Sequence, residues 1–480
     1  MYGSLGPWRV AFYTEGLPFD GRTIYETGLG GSESAVYFMA RELAGLGHQV
    51  EVFCRAGRPG RYEDVSYRPI QDFPRAAAEG WDVFISSRVP QVFSLPFQCR
   101  LGVMWNHDNL GNPAQYRQAV FRADVILVLS TYHESEFLSQ LPELAPRLQL
   151  TRNGVDLAMT EKARQQAVKQ RHKVIYASRP ERGLDVLLMQ IWPRLLARRP
   201  DLELCLCGYQ APAMPGHGHI PQLVAQAPRV TTLGNLPKPA FYRHLAEAAL
   251  VLYPCSFPEI SCIVALEAQA VGTPIITSQD FALGETVGVP DYLIAGRPAL
   301  PAYQEAFISR ALSYLEDEER YRRDTERGLA WIRERYSWAV IAREWEELFA
   351  RQLAQDRPRE GERYSLVRVV APEAAAEPGA WEGLTPEPLE VKTVVSGGGA
   401  LDILGIREFL ERGSQGEWIL VRDEEAGVVD LPPLHAYLAS RKVDWFGFRR
   451  GRDPAGQLAA VLFRRGRPLT AAKAVLIGVP

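Results

Sequence analysis

The chain has 480 residues, 46% of them hydrophobic and 23% charged, with a formal net charge of −3. This is about three domain lengths of ~150 residues, so one domain is excluded, and the near-balanced charge leaves no electrostatic footprint for nucleic acid. No apolar run reaches the ~18 residues of a membrane span, and the N-terminus lacks a basic, apolar, small-residue leader, which predicts a cytoplasmic protein with no membrane span. The cysteines follow neither a zinc spacing nor a disulfide framework and are expected to be reduced packing residues.

Residues 8–13 read as the first strand of an α/β unit. A long loop at 14–31 ends in Thr27-Gly28-Leu29-Gly30-Gly31-Ser32-Glu33, and a helix begins there. Val36, Met39, Leu43 and Leu46 keep helical spacing, with Ser32 placed to cap. A strand, a glycine loop and a helix in that order bring bare backbone N–H groups at Gly30 and Gly31 to where a diphosphate can approach, although many tight turns need glycine for steric reasons alone. After a strand at 49–53, others are expected at 81–86, 101–105 and 123–129, giving an open, mostly parallel α/β domain over 1–158. Directly behind the 101–105 strand stands Asn106-His107-Asp108-Asn109. Such sheets place ligand groups at that edge, so His107 is either a ligand-facing residue or a structural one. Asn153-Gly154 reads as a turn at the exit of this domain.

A polar run at 160–172 is a helical or irregular linker. A second α/β series over 170–336 starts with a strand at 173–177 and runs into Ser178-Arg179-Pro180-Glu181-Arg182-Gly183-Leu184-Asp185, where arginine supplies fixed positive charge of the kind a departing diphosphate needs. Strands at 202–206 and 229–233 follow, the latter ending in Gly234-Asn235-Leu236-Pro237.

The densest signal is a β-α-β unit. An apolar run at 250–254 leads to Pro258-Glu259-Ile260-Ser261-Cys262-Ile263-Val264-Ala265-Leu266-Glu267-Ala268, and the exit is Gly272-Thr273-Pro274-Ile275-Ile276. With Glu259 at the loop-to-helix junction, the two glutamates differ by roughly 80° around a helix of ~100° per residue, so both can look into one crevice. Between them the first free N–H groups, from Ser261 through Cys262 to Ile263, form an anion site. A polyol on each carboxylate with a phosphate between them describes a sugar nucleotide. Taken singly, Glu259 is also a helix-start carboxylate favoured by the macrodipole, and Glu267 a solvated helix residue.

The run Pro-Glu, seven residues, Glu-Ala, then Val-Gly-Thr-Pro-Ile-Ile resembles the signature of the family 4 retaining glycosyltransferases. The resemblance covers about 8–356 and implies two Rossmann-like domains facing across a cleft, the GT-B plan, with a helix at 337–356 crossing back to the first domain. It implies transfer of a sugar from a nucleoside diphosphate sugar, with no metal and no other cofactor, to a glycan, lipid-linked or small-molecule acceptor. By the same resemblance Gly30 and Gly31 face the donor phosphates and His107 meets the donor sugar. Arg182 contacts the diphosphate where the family usually has Lys in a longer loop, with Arg179 beside it. The backbone around Asn235 and Leu236 reads the base, Glu259 and Glu267 take the sugar and ribose, and Asn153 belongs to the family's Asn-Gly-Val-Asp segment. Acceptor choice falls to the loops at 16–27 and 57–75. Two other classes share the plan: a sugar-nucleotide epimerase, and a catalytically silent binding subunit of a glycan assembly complex.

Residues 306–336 are expected to be helical, and Trp338, Ile341, Trp345, Leu348 and Phe349 keep helical spacing in the crossing helix. A charged linker at 355–361 and a Pro-, Ala- and Glu-rich run at 371–388 mark the exit into a module at 363–480. There, strands at 391–395 and 418–421 around a helix at 406–412, followed by Arg422-Asp423-Glu424-Glu425, faintly resemble part of the single-Rossmann, GT-A type of glycosyltransferase. A solvated acidic turn accounts for the acids as well, so this is read as an accessory α/β module through which the chain can form a homo-oligomer.

Overall fold

The computed structural model describes residues 7–77, 79–95, 97–208, 218–355 and six strands between 364 and 479. The first sheet contains β1 (Arg9–Tyr13), β2 (Gln49–Cys54), β3 (Gly60–Tyr62), β4 (Val65–Pro69), β5 (Trp81–Ser87), β6 (Cys99–Trp105), β7 (Val125–Val128) and β8 (Leu148–Leu150). Their order is β3-β4-β2-β1-β5-β6-β7-β8, parallel throughout except for the β3–β4 hairpin. Strands such as β1, β5 and β6 are apolar and buried on both faces, as a parallel sheet covered by helices requires. The chain pairs β1 with β2 on one side and β5 on the other. At such a reversal a crevice opens beyond the carboxyl ends of the strands, and here the loop at 14–30 leaves β1.

The second sheet contains β9 (Gln170–Ala177), β10 (Glu203–Cys207), β11 (Val230–Gly234), β12 (Ala248–Tyr253), β13 (Ile275–Ser278) and β14 (Leu293–Ile294), in the order β11-β10-β9-β12-β13-β14. All its pairs are parallel. Its reversal lies between β9 and β12, so the loops that follow these two strands, 178–183 and 254–262, stand side by side. The third sheet holds β15 (Tyr364–Val370), β16 (Glu390–Val395), β17 (Trp418–Asp423), β18 (Trp445–Arg450), β19 (Leu458–Arg464) and β20 (Ala474–Val479), in the order β16-β15-β17-β19-β18-β20. It is mixed, with β19 antiparallel to both neighbours. The expected strands at 391–395 and 418–421 fall within β16 and β17; the expected helix at 406–412 and the acids Glu424 and Glu425 lie outside the described residues.

The helix Trp338–Gln355 buries Trp338, Ile341, Trp345, Leu348 and Phe349 in the core of the first sheet. Trp345 packs edge-on to Trp105, with ring centroids 4.7 Å apart, and its Nε1 donates to Thr151 Oγ1 at 2.7 Å. Several boundaries differ from expectation. The 306–336 helix is two, Pro301–Glu316 and Glu318–Arg335, because Asp317 breaks the first and caps the second by accepting the Arg320 N–H at 2.9 Å. The linker begins as a helix, Leu157–Gln166, capped by Asp156. Ser32 does not cap the Gly31–Gly45 helix: Gly30 holds that position, and the Ser32 hydroxyl turns to Glu33 instead. All six cysteines are free thiols. Among the described residues no helix is long and apolar enough to cross a membrane.

Candidate active site in the interdomain cleft

The centre of the site is built where β9 and β12 end. Gly183 has φ +115°, and a Cβ there would lie 2.1 Å from the Pro254 carbonyl oxygen, so only glycine lets the 178–183 loop settle on the end of β12. This brings Arg182 to Glu259: Arg182 Nη1 donates to Glu259 Oε1 at 2.8 Å, and the guanidinium lies over the Phe257 ring at 4.3 Å. The hydroxyl of Tyr253, the last residue of β12, donates to the same oxygen at 2.5 Å. Glu259 is buried. Burial alone works against the Arg182 charge, but the adjoining Glu259 carboxylate outweighs it and raises the guanidinium pKa above its ordinary value. Arg179 lies within 3.7 Å of Glu181, and its carbonyl accepts the Arg182 N–H and the Tyr176 hydroxyl.

The helix after this loop is Ile263–Ala270 with Cys262 as N-cap, so Glu259 precedes it and is not on it. The angular relation expected between the two glutamates therefore does not apply; the loop path sets the Glu259 position. Glu267 lies on the helix and is buried rather than solvated. Its Oε1 accepts from Lys238 Nζ and from the Tyr242 hydroxyl at 3.0 Å. Both donors sit on the helix Lys238–Glu247, which begins directly after the Gly234–Pro237 loop. The Cys262 carbonyl accepts the Ala265 N–H at 3.1 Å, leaving the N–H groups of Ile263 and Val264 at the helix start.

Across the cleft, the glycine loop is shaped by side chains. A Cβ on Gly30 would lie 2.2 Å from Glu33 Oε2, and one on Gly28 would lie 1.7 Å from Asn235 Oδ1. Gly31 faces Ile263, whose Cδ1 would stand 3.1 Å from an added Cβ. Glu33 is buried and accepts the Leu17 N–H at 3.0 Å, which pins the 14–30 loop. Arg88 follows β5 with φ +68° and forms a fork on Asp108 at 2.6 and 3.1 Å. Next to Asp108, His107 packs on Trp105 with ring centroids 4.3 Å apart. Burial, with the charge of Arg88 and the neighbouring His133, pushes the His107 pKa down to about 3, so the ring is neutral at neutral pH.

The two halves touch through hydrogen bonds that fall on these loops. Asn235 Nδ2 donates to the Gly28 carbonyl at 2.9 Å, Asn109 Nδ2 to the Pro258 carbonyl at 3.2 Å, and Asn153 Nδ2 to Ser261 Oγ at 3.1 Å. Glu285 accepts the N–H groups of Thr131 and Tyr132 at 2.8 and 3.0 Å, seated on the start of the Thr131–Gln140 helix. Four buried polar atoms on the same loops have no protein partner among the described residues: His107 Nε2, Asn109 Oδ1, Asn153 Oδ1 and Arg182 Nε. The structure thus gathers Arg182, Glu259, Ser261 and Cys262 on one side and the glycine loop on the other, with Asn235 and Ile263 bridging to Gly28 and Gly31. Leu236 is half-buried against the core of the second sheet, next to Asn235.

Two parallel-sheet α/β domains meeting across such a cleft define the GT-B class of fold. The family model described as Glycosyl transferases group 1 matches residues 171–317. The lipopolysaccharide 1,2-N-acetylglucosaminetransferase of Salmonella typhimurium is 27% identical over 187 residues, 36% of this chain and 47% of that protein. The chain therefore spans about half the length of the curated relative it matches. Among solved structures, sucrose-phosphate synthase from Thermosynechococcus elongatus superposes with a TM-score of 0.56 at 19% identity, covering 72% of this chain and 99% of that one. Anabaena HepE in complex with UDP-glucose gives a TM-score of 0.52 at 17% identity, over 72% of this chain and 100% of that one. These likenesses bear out the resemblance to GT-B glycosyltransferases.

Sequence reasoning did not single out Lys238, Tyr242, Tyr253, Arg88, Asn109 or Glu285. Lys238 and Tyr242 are spaced to share a helix face, which is a legible signal, but nothing in the spacing names Glu267 as what that face meets. Arg88 is set by a left-handed backbone that no motif announces.

Proposed function

We propose that the chain is a retaining glycosyltransferase that moves a hexosyl group from a nucleoside diphosphate sugar to a glycan, lipid-linked or small-molecule acceptor, without a catalytic metal. The observation that carries this reading is the Arg182–Glu259 pair at the reversal of the second sheet, facing loops whose buried polar atoms lack protein partners. Buried polar groups are normally paired, and a charged, polyhydroxylated ligand offers suitable partners. In this arrangement Arg182 and the N–H groups opening the Ile263–Ala270 helix meet the diphosphate, where negative charge grows as the glycosidic bond breaks. Glu259 accepts sugar hydroxyls. His107, neutral, exchanges one hydrogen bond with the sugar without adding charge to the site. Glu267 takes the ribose, and the backbone around Asn235 and Leu236 takes the base. Retention rests on the family resemblance. The similar proteins, one solved with UDP-glucose and one a lipopolysaccharide N-acetylglucosaminetransferase, favour a sugar-nucleotide donor and a glycan acceptor. A cytoplasmic location, and an accessory or oligomerising role for 363–480, belong to the same proposal.

The test is to incubate the full chain, in EDTA, with a panel of UDP-, GDP- and ADP-sugars, following release of the nucleoside diphosphate with and without acceptor sugars. Acceptor-dependent release, with the donor's anomeric configuration kept in the product by NMR coupling constants, is expected. Interconversion of donors without acceptor would instead indicate an epimerase, and binding without turnover a silent subunit.

A further inference from the structure

Glu267 is 3% exposed, and its Oε1 takes two donors from one neighbouring helix, Lys238 Nζ and the Tyr242 hydroxyl. Lys238 is itself only 9% exposed, with its ammonium 5.3 Å from the centre of the Phe241 ring and 5.5 Å from that of Tyr242. A carboxylate this deeply buried keeps one fixed position only when a cation or several donors satisfy its oxygens. Lys238 is also the first residue of its helix, directly after the Gly234–Pro237 loop. One lysine thus ties the loop placed at the base to the carboxylate placed at the ribose.

We propose that Lys238 is a positioning residue for nucleoside recognition: it fixes the Glu267 carboxylate in place and aims it so that it accepts the two ribose hydroxyls of the donor. This rests on the reading of Glu267 as the ribose contact. Lys238 contacts the carboxylate, and in this proposal its effect passes through Glu267. A merely structural ion pair would alter stability and all ligands alike. A positioning residue alters only the part of the affinity that the ribose hydroxyls supply.

Binding of UDP, GDP and ADP to the full chain is measured by calorimetry, and the tightest is compared with its 2′,3′-dideoxy counterpart. The wild type should bind the ribonucleotide at least about 10- to 100-fold more tightly, the range of a single hydrogen bond to a charged group. Lys238→Gln should lose most of that preference by weakening the ribonucleotide while leaving the dideoxynucleotide unchanged. Glu267→Gln should do the same, and the double variant should bind no more weakly than Glu267→Gln alone. Tyr242→Phe, which removes one donor and keeps the packing, should shift the preference the same way by less and serves if Lys238→Gln does not fold. If the wild type shows no preference for ribose, or Glu267→Gln keeps it, the ribose reading itself falls. If Glu267→Gln loses the preference while Lys238→Gln keeps it, or Lys238→Gln weakens both nucleotides equally, the positioning role of Lys238 is overturned.

Discussion

At the scale of single residues, the site depends on one oxygen. Glu259 Oε1 accepts from both Arg182 and Tyr253, so Arg182 orders the carboxylate, while its buried Nε has no protein partner among the described residues. If Arg182 holds the departing diphosphate, its charge matters more in the transition state than before it, and Arg182→Ala should lower kcat by about 10²- to 10³-fold with a smaller change in KM. Arg182→Lys keeps the charge but loses the fork and should retain substantial activity, because the glycosyltransferases that this loop resembles usually place Lys here. Equal inactivity of the two variants in steady-state assays would shift the role to Arg179. The buried imidazoles give a second expectation. Folding holds the pKa of His107 down to about 3 and that of His133 down to about 4, in both cases chiefly by burial. The unfolded chain therefore binds more protons below about pH 6.5, and stability present above that pH is lost as pH falls, by up to about 1.4 kcal/mol per pH unit for each ring. Urea unfolding at pH 7 and pH 5 should show this loss, and it should be shallower in His107→Gln. Equal slopes for the two proteins would mean that His107 is solvated.

At the scale of elements, the loop between β9 and the following helix is where one small residue controls the most. Gly183→Ala would set a Cβ against the Pro254 carbonyl in a left-handed backbone, at a cost of about 1–3 kcal/mol for the backbone conformation alone. The loop can escape only by lifting off β12 and taking Arg182 from Glu259. The expected result is a lowered Tm together with a loss of transfer activity comparable to that of Arg182→Ala; an unaltered Tm and rate would show that the loop has another resting place. This glycine marks the boundary of what the sequence conveys. Arg182-Gly183 was legible as a cation beside a turn, and the β-α-β unit around Glu259 was legible from its apolar runs and breakers. The helix start at Ile263 was not, because Pro258 and Glu259 carry helix-start character while the chain stays non-helical, bending at Phe257 and Ile260, up to Cys262. The partners of Glu267 were not legible either, since contacts between separate helices depend on packing that no local pattern encodes. The glycine loop was legible only in part. Its bareness was plain, while the side chains that shape it, Asn235 against Gly28 and Glu33 against Gly30, were not.

At the scale of the whole molecule, the crossing helix decides which part of the chain must stay together. Trp338–Gln355 is the last element packed into the first sheet's core, with Trp345 between Trp105 and Phe349 and bonded to Thr151. Trp345→Ala should cost about 3–5 kcal/mol, as large-to-small changes at buried tryptophans do, and should loosen a closure that the Glu285 and asparagine contacts only complete. The third sheet stands differently. Among the described residues its six strands form ladders with one another and with no strand of the first two sheets, and the sequence leads to it through the polar, charged segment beginning at Gln355. A boundary of that kind severs few contacts when cut. Truncation after Gln355 should therefore leave a folded protein that binds the same nucleoside diphosphate with unchanged affinity and melts close to the full chain. Insoluble or unfolded truncated protein would show that the third sheet shares a core with the others. Asp423→Ala in the full chain supplies the complementary measurement. Asp423 closes β17, remote in sequence from every residue placed in the cleft, so transfer activity should persist; its loss in a folded, nucleotide-binding variant would give the third sheet a catalytic part of its own.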